Sequence, residues 1–264
     1  MGLRGAGESG MAGDLAPAAL VTGGASGIGL AIVERLVADG FAVVATDVAA
    51  EIGSRAAARA GARFVPADLT EPGACERVVQ EAVAGGRLDA LVCCAGYQHI
   101  DALPDFPADR WRHMLELMLT APFLLTKHAW PHLTASDRGR IVHVGSAHSL
   151  TASPFKAAYV SAKHGLVGLA RTTALEGGRH GVTCNVVAPA YTRTPLVSAQ
   201  VADQARTRGI SEAEVEEQVF LSGVAIKRML EPADVAGLVS YLVSREAWGV
   251  TGTVHSIDLG WTAR

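Results

Sequence analysis

Three side chains in one short stretch have the types and spacing for proton transfer: Ser146, Tyr159 and Lys163. Tyr159 and Lys163 are four residues apart, so on a helix they share one face, one turn from each other. A cationic Lys163 beside Tyr159 is expected to lower the phenol pKa from its ordinary value of about 10. That would make Tyr159 a general acid or base. Ser146 lies thirteen residues before the tyrosine, where it could hydrogen-bond the oxygen that Tyr159 protonates or deprotonates.

Two elements must hold this set. The apolar run Ile141-Val142-His143-Val144 predicts a buried strand ending at Ser146. Ser153 as N-cap and Pro154 at the first helical position predict a helix from about Pro154 to Arg179. A second motif lies near the start of the chain. A short apolar run, Ala18 to Val21, leads into Thr22-Gly23-Gly24-Ala25-Ser26-Gly27-Ile28-Gly29, and a helical pattern follows from Leu30 to Val37. Strand, glycine-rich turn and helix make a phosphate cradle, because glycine lets the backbone approach a pyrophosphate and the helix N-terminus offers free N–H groups. The strand Phe41 to Thr46 ends at Asp47, eighteen residues after Gly29. An acidic residue there accepts hydrogen bonds from an adenosine ribose and repels a 2′-phosphate, which favours NAD over NADP. Asp47 could equally serve as the N-cap of the next helix, and the two roles are compatible.

The rest of the chain alternates strand and helix. Further strands are expected at Ala62–Val65, Leu88–Cys94, Val182–Ala188 and Thr253–Ile257. Helices are expected at about Pro72–Ala84, Asp109–Trp130 and Pro232–Ser244, and residues 195–230 read as a polar, helical lid. This order predicts an α/β single-domain Rossmann fold, a doubly wound parallel sheet of about seven strands flanked by helices, with ligands at the carboxyl ends of the strands. At 264 residues one such domain, spanning 17–264, is expected after a Gly-rich disordered tail at residues 1–16. Net charge is −3, which argues against nucleic acid as a partner, and no apolar run reaches the length of a membrane span. The four cysteines form no metal or disulfide pattern and read as free thiols of a cytoplasmic protein. Adjacent Cys93 and Cys94 should point to opposite faces of their strand.

The Tyr-x-x-x-Lys pair, its upstream serine and the Thr-Gly-x-x-x-Gly-x-Gly turn resemble the short-chain dehydrogenase/reductase family over about residues 18–264. The resemblance implies hydride transfer between NAD and a secondary alcohol or ketone, with Ser146, Tyr159 and Lys163 as the catalytic set. It implies a cofactor site at Gly23, Ser26, Gly27, Ile28, Gly29, Asp47, Asp68, Leu69, Cys94, Ala95, Gly96, Tyr159, Lys163, Pro189, Thr192 and Thr194. Within the family, Gln98, His99, His148, Lys156 and Gln200 look like the positions of the bacterial 3-hydroxybutyrate dehydrogenases. This implies a small carboxylate substrate on Gln98, His148, Lys156, Tyr191 and Gln200. Lys156 is expected in the first turn of its helix, where the macrodipole disfavours a cation and a bound anion would offset the cost. Family members are commonly tetramers, so a homo-oligomer is expected, and no metal.

The sequence departs from the family at four places. Cys94 stands where the family has Asn, Ala190 and Leu259 stand where it has Gly, and Met118 replaces an active-site Asn whose freed carbonyl holds a relay water. Pro122 has no N–H for the Met118 carbonyl and should break the helix there, keeping that carbonyl free; the other reading is Met118 as plain core packing. Two alternatives to the 3-hydroxy acid remain open: another secondary alcohol or ketone, and a non-catalytic NAD-binding protein.

Overall fold

The structure is a computed structural model and describes residues 16–263. The expected disordered tail lies outside the described residues except for residue 16. Seven parallel strands form one sheet: β1 Ala18–Thr22, β2 Ala42–Asp47, β3 Arg63–Pro66, β4 Ala90–Cys93, β5 Arg140–Val144, β6 Thr183–Pro189 and β7 Val254–Ile257. Their order is β3-β2-β1-β4-β5-β6-β7, so the direction of winding reverses between β1 and β4. β1, β4, β5 and β6 are buried along their whole length, as a sheet covered on both faces requires.

Alternate strand residues feed two cores. On one face, Val21, Val43, Val92 and Val142 pack with Ile32 and Leu36 of α1 (Gly27–Ala38), Ala57 of α2 (Ala50–Ala60) and Val239 of α10 (Pro232–Val243). On the other, Leu20, Leu91, Ile141 and Val186 meet α3 (Ala74–Val83), α5 (Ala121–Ala135) and α6 (Ala157–Gly177). Cys93 belongs to the second core and Cys94 packs against the first, on opposite sides as the strand period demands. All four cysteines are unbridged.

The long helix before β5 is not regular. α4 (Ala108–Leu115) passes into one π-helical turn, Glu116–Thr120, and then into α5. Pro122, in the first turn of α5, cannot close the ordinary four-residue bond to the Met118 carbonyl, and the helix widens by one residue in the same stretch. The expected break is therefore present as a π turn. Met118 itself is buried with Met114, Ala158 and Ala162, and its sulfur lies where a Cβ on Gly96 would approach within 3.0 Å.

Two expectations need correction. The signature helix begins at Ala157, not Pro154, and Lys156 is its N-cap residue. Phe155 takes a left-handed φ of 68°, which α-helical geometry excludes, so Ser153 and Pro154 belong to the preceding turn. The 195–230 segment is not simply polar. Between α7 (Pro195–Ser198), α8 (Val201–Arg208) and α9 (Glu212–Val215) it encloses its own small core of Ala205, Val215, Phe220 and Met229.

Asp89 ties the amino ends of the central strands together. Its carboxylate accepts from the Ala18 N–H (2.7 Å), Arg87 (2.7 Å) and the Ser136 hydroxyl (2.6 Å). Burial pushes this carboxyl up, but the bonds from Arg87, Ser136 and Ala18 outweigh it and leave the pKa below the ordinary value. Such a group stabilises the fold above its ordinary pKa, and that contribution is lost as pH falls through the lowered folded value. Asp89→Ala removes the acceptor from all three donors and should cost about 3–5 kcal/mol in urea unfolding.

Candidate active site

The site is built on the carboxyl ends of β1, β2, β4, β5 and β6. Thr22 closes β1, and its hydroxyl accepts from the Cys94 and Ala95 N–H groups at 3.0 and 3.1 Å, which fixes the exit of β4 beside the glycine turn. Gly23 has a φ of 69°, and a Cβ there would come within 2.9 Å of the Ala95 backbone. A Cβ on Gly29 would lie 2.0 Å from the Gly23 carbonyl oxygen. No side chain fits at either position, so the turn folds tightly onto the first turn of α1. The Asp47 carboxylate at the end of β2 accepts from the Ala25 N–H (3.3 Å) and the Ala49 N–H (3.0 Å). It therefore braces both the glycine turn and the approach to α2, whose N-cap position is Ala49.

A single cavity of about 550 Å³ runs from this turn to Trp261, within the range of cofactor and ligand clefts. Each residue expected from the sequence to bind cofactor or substrate, or to do catalysis, lines it. His99, which stood beside Gln98, turns away toward Asp101 and packs edge-on against Phe106. The glycine turn leaves room that a Cβ would fill, at a helix N-terminus, and Asp47 stands beside it. This donor set fits a dinucleotide, with the turn on the pyrophosphate and Asp47 toward the ribose.

At the centre, Ser146 caps a short turn: its hydroxyl accepts from the His148 N–H at 3.2 Å and approaches the His148 Nδ1 at 3.3 Å. Tyr159 enters from the first turn of α6. Its hydroxyl lies close enough to Ser146 for that side chain to lower the phenol pKa. The Lys163 Nζ sits 5.5 Å from the Tyr159 ring centre and donates to the Val144 carbonyl at 2.7 Å. Here the electrostatics differ from expectation. Burial pushes the Tyr159 phenol up to about 12, against a smaller lowering by Ser146. Burial also pulls Lys163 down to about 8. In the protein alone desolvation sets the Tyr159 pKa, and Lys163 is not among the groups that lower it.

The other half of the cavity holds a second buried lysine. Lys156 is 2 % exposed, and its Nζ donates to the Tyr191 hydroxyl at 3.0 Å. It stands at the N-cap rather than in the first turn expected from the sequence, just after the left-handed Phe155. Burial, and then the nearby Arg208 guanidinium, pull its pKa down to about 7. His148 is held neutral, with burial and then Lys156 lowering its pKa to about 3, and its Nε2 pairs with the Ser153 hydroxyl at 2.8 Å. The Gln200 side chain donates to the Leu196 carbonyl at 3.1 Å, and its buried Oε1 has no partner among the described residues.

Sequence reading missed Trp261. It stacks on Tyr191 with 5.8 Å between ring centres and meets His148 edge-on at 5.1 Å, closing one end of the cavity. The signal was present in Asp258-Leu259-Gly260-Trp261. The Asp258 carboxylate takes the Gly260 and Thr262 N–H groups, and Leu259 adopts a left-handed φ of 56°, the conformation a glycine would take there without strain. That turn directs the indole back into the cavity. Sequence reading also missed Arg110 and His113, which line the rim beside Tyr97.

A buried ammonium near pH 7 with only a neutral partner is an anion receptor that switches off on deprotonation. Small carboxylates such as acetate should bind the free protein more weakly as pH rises through about 7, because Lys156 loses its charge there. Lys156→Met should abolish both the binding and its pH dependence in calorimetric titration.

Over residues 23–262 the chain matches the family model described as enoyl-(acyl carrier protein) reductase. It is 40% identical over 254 residues to a D-beta-hydroxybutyrate dehydrogenase of Rhizobium meliloti, covering 93% of this chain and 98% of that one. It is 37% identical over 252 residues to a D-beta-hydroxybutyrate dehydrogenase of Cupriavidus necator, again covering 93% and 98%. Among solved structures, a dehydrogenase/reductase from Sinorhizobium meliloti superposes with a TM-score of 0.83 at 31% identity, over 93% of this chain and 95% of that one. With its glycine turn, its Ser-Tyr-Lys set and these relatives, the chain belongs to the short-chain dehydrogenase/reductase family, oxidoreductases that act on CH–OH groups with a nicotinamide cofactor.

Proposed function

We propose that the protein interconverts a small 3-hydroxy acid, of the 3-hydroxybutyrate kind, and its 3-keto acid with NAD. The observation that carries this reading is the buried Lys156 ammonium, bonded to Tyr191 and sharing one cavity with Ser146 and Tyr159. A carboxylate on Lys156 would satisfy a charge that the fold leaves with only a neutral oxygen, and Gln98, His148 and the unpartnered Gln200 Oε1 line the same space. The two hydroxybutyrate dehydrogenase relatives agree with a four-carbon hydroxy acid. Trp261 and Tyr191 make the wall beside it apolar, which suits a short alkyl chain.

Bound NAD would supply the hydride acceptor; the remaining work falls to this chain. Gly23 to Gly29 hold the pyrophosphate, and Asp47 selects against a 2′-phosphate because no basic residue flanks it in Thr46-Asp47-Val48. Ser146 orients the substrate oxygen. Tyr159 gives that oxygen a proton in ketone reduction and takes it back in alcohol oxidation. With its phenol pushed up to about 12, Tyr159 is protonated at neutral pH in the protein alone and is poised as the acid. Lys163 stays between Tyr159 and the Val144 carbonyl, a place from which it can also reach a nicotinamide ribose.

Steady-state NADH formation with each enantiomer of 3-hydroxybutyrate tests the reading; turnover only with uncharged alcohols would overturn it. Tyr159→Phe should lower kcat by about 10²–10⁴-fold with cofactor affinity nearly unchanged. At saturating substrate, kcat for oxidation should rise from neutral to alkaline pH, because deprotonation of Tyr159 is required in that direction, whereas kcat for reduction should not; KM should rise over the same range as Lys156 loses its charge. Asp47→Ser should narrow the preference for NAD over NADP, read as the ratio of the two kcat/KM values.

A further inference from the structure

Three segments contribute to the carboxylate pocket: the loop after β4 with Gln98, the turn before α6 with Lys156, and the start of α8 with Gln200. They meet at Phe155. Its carbonyl accepts from the Asp101 N–H at 3.0 Å, which joins the first two segments. Its ring lies under the Arg208 guanidinium, 5.5 Å from ring centre to Cζ, which joins the third. Arg208 is anchored on α8 by the Gln204 side chain, one turn earlier. Arg206, on the same helix, reaches the Ile100 carbonyl at 3.4 Å.

The arrangement carries two costs. Phe155 holds a left-handed φ of 68°, which a side chain with a Cβ disfavours. Arg208, behind Phe155, also sits close enough to Lys156 to disfavour its charge. Packing alone explains neither, since an uncharged residue at 208 and glycine at 155 would avoid both. A carboxylate held on Lys156 lowers the second cost, because it adds a negative charge beside the two positive ones.

We propose that the Arg208–Phe155 contact is a latch that couples seating of the 195–220 segment to carboxylate binding, making Arg208 and Phe155 positioning residues for Lys156. This rests on the proposed 3-hydroxy acid reading for its substrate, but not for its mechanics. With the segment unlatched, α8 loses its tie to the Lys156 turn. Gln200 and Lys156 then no longer face the same point.

The test compares Arg208→Ala, Arg208→Lys and Phe155→Leu in the full-length protein. Arg208→Ala should raise KM for 3-hydroxybutyrate about tenfold while kcat and NAD affinity change less than about twofold. Arg208→Lys retains a cation over the ring and should recover most of the loss. Phe155→Leu, which keeps bulk but removes the aromatic face, should resemble Arg208→Ala. Thermolysin cleavage within 195–220, followed in the NAD complex, should be faster in Arg208→Ala than in wild type or Arg208→Lys, and acetoacetate should slow it in wild type and Arg208→Lys but not in Arg208→Ala. Unchanged KM and unchanged cleavage in Arg208→Ala would overturn the latch, as would an equal fall in NAD affinity. If the wild type does not turn over 3-hydroxybutyrate, the substrate reading fails, and the cleavage rates of the NAD complexes still decide the latch.

Discussion

The site depends on two ammonium groups held out of water. Lys163 and Lys156 are 4 % and 2 % exposed, and each donates to a neutral oxygen, the Val144 carbonyl or the Tyr191 hydroxyl. Burying a cation without a counter-ion is costly unless the group deprotonates or an anion arrives. Both lysines have lowered pKa values for this reason. The cavity is thus prepared for negative charge at one end and for a proton-carrying oxygen at its centre. Tyr159 lies between the two, its own phenol pushed up by the same desolvation.

The framework that makes such burial possible is the parallel sheet. β1, β4, β5 and β6 bury both faces, and their carboxyl ends open at the winding reversal between β1 and β4. Thr22, Gly23 and Ala95 lock the exits of β1 and β4 together there, so the glycine turn and the proposed proton-transfer set share one edge of the sheet. Met118 and Pro122 belong to the same story. The chain lacks a polar side chain at 118, yet the helix still leaves regular geometry at Glu116–Thr120, in the stretch that Pro122 deprives of a donor. Met118 meanwhile fills the space against Gly96, so the position serves packing while its neighbour supplies the irregularity.

The sequence by itself determined the order and type of the main elements, the glycine turn and the Ser-Tyr-Lys set. Each of these rests on short-range physics. Strand-length apolar runs, helical periodicity, glycines where no Cβ fits and a four-residue spacing on one helix face are local properties, visible without the fold. The candidate pocket residues came from the family resemblance, and most of them stand near a strand's carboxyl end, where a doubly wound sheet places its ligands.

Only the tertiary structure decided the charge states and the far wall. The expected acidic tyrosine depended on spacing alone, but the pKa is set by how much water the surrounding core excludes, which spacing does not encode. Lys156 read as a first-turn helix residue, and its place at the N-cap with its ammonium turned inward depends on one left-handed residue, Phe155, whose conformation no propensity predicts. Trp261 arrives from the end of the chain through the Asp258 turn, and Arg208 from a segment whose polar pattern hid its own small core. These are contacts between residues roughly fifty to over a hundred positions apart in sequence, and they exist because chain folding closes those distances.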